Sequence, residues 1–411
     1  MTATDVGEKA QKVPQKVSPK IPFSVYLLAL CQALMMSSTS LMITASSLVC
    51  LTLTEDKSLV TLPLSLQFLG LMLTSMPASI LMGRLGRKLG FLIGTLFGLA
   101  GALLMVYAVF NHHFWLFAAG SFLIGIFNGF GIYYRFAAVD MVNEENRPKA
   151  ISYVMVGGVI AAFVGPNLAN FGRSMFPSEP FAGGFIYVVI IYLLVFVVVS
   201  LIKFPKAISS AEKSAEPRPL SKVASQPMFI VAVICGMLGY AIMSYLMTAT
   251  PLAMKHHAHG FSDTAFVIQW HVLAMFAPSF FTGNIIQRFG VLNVILAGAV
   301  LAVVCVAINL MGQTVWHFWM ALVALGISWN FLFIGATALL TQTYREEEKS
   351  KAQGFNDFAV FTLVTIASLS AGVLQHKLGW QIVNYTALPF VAIIIMSVLW
   401  LKMKPAELRL H

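Results

Sequence analysis

Charge is what this sequence has least of. Only 10% of its 411 residues are Asp, Glu, Lys or Arg, against roughly 25% in an ordinary soluble domain. The acidic residues number 16 and fall mostly at the edges of apolar runs. Cysteine is scarce as well. Cys31, Cys50, Cys235 and Cys305 are the only four, and none forms a Cys-x-x-Cys pair, which excludes the thiol redox and zinc motifs built on that spacing. There is no glycine-rich phosphate loop, which excludes an ATP-driven pump, and no constellation of nucleophile, base and acid reads as a catalytic centre. The expectation is a protein that is not an enzyme and needs no catalytic cofactor.

Hydrophobic residues make up 58% of the chain. They are arranged in repeated runs long enough to cross a bilayer as helices. Twelve candidate spans lie at 24–48, 59–83, 89–110, 114–140, 149–172, 183–203, 227–250, 262–286, 290–311, 314–342, 351–375 and 380–402. The fold class expected is an all-α membrane protein. The first apolar run is too long for a signal-peptide core and reads as a retained helix.

The net charge of +10 follows from topology rather than from nucleic-acid binding. With the N-terminus in the cytoplasm, 21 Lys and Arg fall inside and four (Lys57, Arg173, Lys255, Lys377) fall outside. That bias places both termini in the cytoplasm, and the expected location is a bacterial inner membrane crossed many times.

One polar segment breaks the pattern, "KFPKAISSAEKSAEPRPLSKVASQP" at 203–227, rich in Pro, Ser and charge. It divides the spans six and six. The expected organisation is a tail (1–23), a six-helix bundle (24–203), a linker (204–226), a second bundle (227–402) and a tail (403–411). The bundles are related by weak internal symmetry. "LMITAS" (41–46) matches "LMTATP" (246–251), and "GRLGRKLG" (83–90) matches "GNIIQRFG" (283–290), at offsets of 205 and 200 residues. Parallel repeats of this kind build secondary transporters.

The loop "SILMGRLGRKLG" (79–90) resembles the motif after the second helix of the major facilitator superfamily, with Arg84, Gly86, Arg87 and Lys88 in the matching places. Gly83 stands where that family has Asp, and Ser79 where it has its first Gly. The resemblance covers the whole chain and implies two pseudo-symmetric six-helix bundles working by alternating access. "GVIAAFVGPNLAN" (158–170) partly resembles the Gly-Pro motif of proton-coupled antiporters, though a close-packing face explains it equally well.

Methionine and histidine form the most pointed pattern. Met243 and Met247 on the seventh span, and His271 and Met275 on the eighth, are pairs at i,i+4, each on one helix face. A short loop joins the two spans and predicts that they are antiparallel neighbours. Thioethers and imidazole suit copper and suit hard cations poorly. Met is also common core filler, but a histidine inside a span is expensive and points to function. Its counterpart in the first repeat is Leu69, so the scaffold does not demand it.

The MxxxM and HxxxM pairs resemble those of the CcoA-like copper importers, a branch of the same superfamily serving cbb3-type oxidase assembly. That resemblance implies copper as the substrate, held by Met243, Met247, His271 and Met275. The expected partners are copper, the bilayer and a cytoplasmic copper chaperone, with the protein a monomer. His256, His257 and His259 in "KHHAHG" are candidates for metal capture, and Cys31 and Cys235, one repeat apart, for metal exit. Buried gap-filling explains the cysteines as well. Arg135, Asp140 and Asp357 are candidates for proton coupling or gating. The charged loops at 139–149 and 344–351 read as latches between the halves. The alternative reading is a transporter of a small organic solute such as riboflavin, or a proton-coupled drug exporter. In that reading the seven Trp and 32 Phe supply a stacking cavity.

Overall fold

Inside a bilayer no water satisfies backbone N–H and C=O groups, so a chain this apolar must close its hydrogen bonds within helices or a barrel. The computed structural model, which describes residues 21–143, 146–204 and 218–405, takes the helical solution. The described residues contain helices and turns and no strand. The tail 1–20, the linker core 205–217 and the end 406–411 lie outside the described residues, and with them the lysines that the orientation argument counts there.

The first half comprises α1 (Phe23–Leu53), α2 (Leu62–Leu85), α3 (Arg87–Phe110), α4 (Phe114–Gly131), α5 (Tyr134–Val139), α6 (Arg147–Arg173) and α7 (Ala182–Leu201). A short α8 (Leu220–Ala224) precedes the second half. There α9 (Pro227–His256), α10 (Phe261–Phe276), α11 (Ser279–Phe289), α12 (Val291–Met311), α13 (Val315–Leu340) and α14 (Lys349–Met403) follow. Ten of these helical segments are long and apolar enough to span a membrane, and α10 with α11 make an eleventh, bent by 45°. At Gly379 (φ 78°, ψ 176°) α14 is broken, so its two arms serve as two spans and twelve crossings result.

Sequence chemistry sets several of these ends. Proline opens α2, α6 and α9, where a missing N–H is harmless. The Asp263 carboxylate accepts the Gly260 N–H at the start of α10. Gly86 (φ 88°, ψ 155°) and Gly290 (φ 83°, ψ 146°) join α2 to α3 and α11 to α12. That backbone region is open essentially to glycine alone. They fill matching places in the two repeats, so this loop motif is first a backbone device.

Each half has its own core. Phe91, Phe117, Phe127, Tyr134, Phe185 and Tyr192 fill the first; Phe229, Phe318, Trp329 and the inward face of α9 fill the second. Within the first half α2 and α4 approach so closely that a Cβ on Gly125 would collide with the Gln67 carbonyl. Gly165 lies against Ser37 and Ser40 of α1, which supports the packing reading of the Gly-Pro segment.

The halves meet along α6 with α10, α2 with α14, and α1 with α9. Their specific contacts cluster at the end remote from the chain termini. Ser262 donates to the Asn170 side chain at 3.1 Å, and Asn167 to Gln269 at 2.9 Å. Thr61 donates to the Leu369 carbonyl at 3.3 Å. Arg173 covers the rings of Phe181 and Phe261, at 5.8 and 5.5 Å. Residues 40–50 of α1 and 241–254 of α9 are buried on every face, whereas Tyr26, Leu30 and Ile230 near the termini are exposed. The far end is closed and is the more tightly packed of the two.

Candidate substrate site between the two halves

The four residues of the copper row lie on α9 and α10. Met243, Met247, His271 and Met275 are all buried, at 1, 2, 0 and 7% exposure. The seventh and eighth spans, however, are not close neighbours: α9 packs chiefly on α14 and α13, and α10 on α13 and α6. α13 packs on both, and α9 and α10 touch each other only sparingly. His271 turns to α13, where its Nδ1–H donates to the Leu322 carbonyl at 2.8 Å, leaving Nε2 as the lone-pair nitrogen.

The other candidates each have neighbours of their own. Cys31 lies in the core of the first half and Cys235 in that of the second, 3.9 Å from Ser397 Oγ. His256 and His257 meet ring to ring at 5.3 Å, while His259 binds the Gln313 carbonyl at 2.6 Å. Partial burial and the two neighbouring histidines hold His257 below its ordinary pKa. Among the described residues no group of three or more His, Cys, Asp or Glu is placed to hold a metal.

Several contacts of the charged loops run within the halves. Arg87, of the loop motif, donates to Asp140 at 2.9 Å, joining α3 to the end of α5. Lys88 donates to the Ser200 carbonyl of α7. Glu348 accepts from Arg218, at the end of the linker, at 2.7 Å. What does face across the halves is Arg135, on α5, with Asp357, on α14, as the carboxylate acting on it. Arg135 Nε is buried without a hydrogen-bond partner, and the guanidinium lies 4.8 Å from the Phe136 ring.

Another cluster occupies the middle of the second half. Trp329 and Phe333 of α13 stack in parallel, 5.0 Å apart at 7°. Tyr240 of α9 meets both edge-on at 5.3 and 5.5 Å and reaches Phe361 of α14 at 5.8 Å. Phe276, the last residue of α10, meets Trp329 at 5.9 Å. Each ring sits near the middle of its span. Across the divide, a Cβ on Gly158 of α6 would lie 2.6 Å from the Phe276 ring. Met36, Met155 and Val159 of the first half pack against the same core. The aromatic cluster thus borders the plane where the two bundles meet.

Asn330 fixes this arrangement. Its side chain donates to the Met275 carbonyl and to Ser279 Oγ, both at 2.7 Å, and accepts from Thr282 at 2.5 Å. The bend between α10 and α11 is thereby tied to the turn of α13 that carries Trp329. Sequence reading missed Trp329, Asn330 and Phe333. The available signal was "WNFLF" at 329–333, a polar amide between aromatics inside an apolar span. A separate apolar cavity of about 260 Å³ lies between α9 and the arms of α14, lined by Leu238, Ile242, Tyr245, Ile366 and Phe390 among others.

Two six-helix bundles around a mid-depth site, with one end closed, define the class: a secondary transporter of the helical membrane type. The sequence profile of the Major Facilitator Superfamily matches residues 28–278 and 233–410, and this chain belongs to that family. The chain is 41% identical over 383 residues, 93% of its length and 96% of the relative's, to the riboflavin transporter RfnT of Brucella anthropi. It is 29% identical over 334 residues (77% of the chain, 76% of the relative) to the uncharacterized MFS-type transporter YddS of Bacillus subtilis. The near-full-length match to a riboflavin transporter overturns the reading as a copper importer, and with it copper as the expected substrate. The MxxxM and HxxxM spacing is compatible with buried packing.

Proposed function

We propose that this protein moves a flat aromatic solute of the flavin kind across the cytoplasmic membrane by alternating access, as a monomer with both termini in the cytoplasm. The observation that carries the reading is the ring of Tyr240, Phe276, Trp329, Phe333 and Phe361 at mid-depth beside the inter-bundle plane. Aromatic pairs prefer stacked or edge-on contact and contribute about 0.5–1.5 kcal/mol each beyond their burial. A planar tricyclic solute entering between Phe276 and the first half would exchange such contacts for its own. The relative at 41% identity bears the name of a riboflavin transporter, which supports the same solute class here. The five residues of the cluster carry no formal charge, which suits a neutral ring system.

In the closed-far-end state the site is reached from the termini side. Import then requires the contacts of Asn170 with Ser262, Asn167 with Gln269 and Thr61 with Leu369 to open. Labelled riboflavin uptake tests the reading in a strain that cannot synthesise it. Cells expressing the protein should accumulate the vitamin and grow at low supplementation, and Trp329→Ala at equal membrane abundance should remove most of the uptake. Uptake no greater than in cells without the protein would defeat the proposal. Copper accumulation measured alongside should stay at the background level.

A further inference from the structure

We infer that Trp329 reads the edge of the solute, its indole N–H donating to a carbonyl or ring-nitrogen acceptor on a planar heteroaromatic ring. This inference rests on the solute class proposed above and narrows it from aromatic to acceptor-bearing heteroaromatic.

Trp329 is 7% exposed, and its Nε1 has no hydrogen-bond partner. A buried donor without an acceptor is unfavourable, and native sites that hold one invite an explanation. Two other buried indoles, Trp319 and Trp380, share the feature. They lie elsewhere: Trp319 contacts Phe266, Trp270 and Trp316 near the far end, and Trp380 packs on Phe318. Trp329 alone of the three belongs to the mid-depth cluster bordering the first half.

The ring is also held in place. Phe333 stacks on one face, Tyr240 and Phe276 abut it edge-on, and the next residue, Asn330, makes three hydrogen bonds to the α10–α11 bend. A donor fixed by its surroundings loses little freedom when a ligand meets it, which is the basis of preorganised recognition. A hydrocarbon of the same shape would stack but leave the indole N–H unmet. Sites built to hydrogen-bond a ligand discriminate against analogues lacking the group far better than apolar pockets discriminate by size. Trp329 thus supplies selectivity where the phenylalanines supply area.

The test uses purified full-length protein in nanodiscs, with riboflavin as the probe and quenching of its fluorescence as the readout. Trp329→Phe keeps an aromatic face and removes the donor, and should weaken binding roughly five- to tenfold, the loss of one hydrogen bond. In wild type, the indole N–H resonance that disappears in Trp329→Phe should move downfield as riboflavin is added. Unchanged affinity in Trp329→Phe, or an indole resonance that stays in place while riboflavin binds, would overturn the inference and leave the proposed function standing. Wild type that binds no riboflavin would overturn both. The resonance measurement is made on wild type and does not depend on the variant's folding yield.

Discussion

At the residue scale, single side chains separate what holds the bundle from what meets the solute. Glu348 is 2% exposed on its side chain and accepts from the Arg218 side chain, the Arg218 N–H and the Arg345 N–H. Hydrogen bonds from Arg218, above all, hold its pKa down from an ordinary 4.5 to about 2. A carboxylate depressed on folding stabilises fully above its unfolded value, and that contribution fades as pH falls through the window between the two. The melting temperature should therefore decline between pH 4.5 and 2 with Glu348 contributing to the slope. Glu348→Gln should lower the neutral-pH value, by about 1–3 kcal/mol in stability, and flatten that slope. A second expectation concerns packing. Gly125→Val puts a branched side chain into the Gln67 backbone, which cannot yield as a side chain tip would. Monodisperse yield and melting temperature should both fall, more than for Gly83→Val, whose Cβ meets nothing within 4 Å.

At the scale of elements, the sequence resolved the membrane helices but not their neighbours. Hydropathy located the spans because the bilayer imposes one length on all of them. It could not show that α13 and α14 pack against α9 in place of α10, since every helix here is apolar on several faces. The methionine and histidine spacing was therefore legible while the convergence assumed for it was not. Breaks within spans were equally hidden: Pro278 lies at one, but Pro77 and Pro166 lie inside continuous helices. What stabilises the α10–α11 bend is Asn330, two helices away in sequence. Asn330→Ala frees the Met275 carbonyl and two hydroxyls at once. It should reduce riboflavin uptake severalfold and loosen the bend, read as faster hydrogen exchange over residues 275–282, while Thr337→Ala, on the exposed face of α13, should change neither.

For the whole molecule, repeat symmetry carried the fold into view before any coordinates. The loop-motif copies and an offset of 200–205 residues predict two bundles; the two buried clusters are centred one in each half, and each takes in residues of the other, such as Phe68 in the second and Phe261 in the first. The state of the gate had no such signal, because it depends on contacts between residues roughly 100 to 300 positions apart. If the far end must part for transport, a tether across it should stop the cycle. Asn170→Cys with Ser262→Cys places two thiols where a 3.1 Å hydrogen bond now joins the halves. The four native cysteines are buried and free, so mild oxidation should link the new pair selectively. Uptake should cease on oxidation and return with a reductant. Full transport by the oxidised double variant would show that this end does not open.

The make-up of that seal also decides how the two ends respond to ionic strength. Among the described residues, the short far-end contacts between halves are amide, hydroxyl and cation–aromatic pairs, and the exposed Asp56 carboxylate also feels the charges of His376 and Lys377 across the divide. Toward the termini the interaction across the divide is the charge of Arg135 with Asp357. Salt screens exposed charges over a Debye length of about 8 Å at physiological strength but buried pairs much less, and it leaves short neutral hydrogen bonds nearly untouched. Electrolyte on the far side would thus weaken the pull of His376 and Lys377 on Asp56 and leave the buried contacts of both gates in place, so the balance between the two faces is set by packing more than by ionic strength.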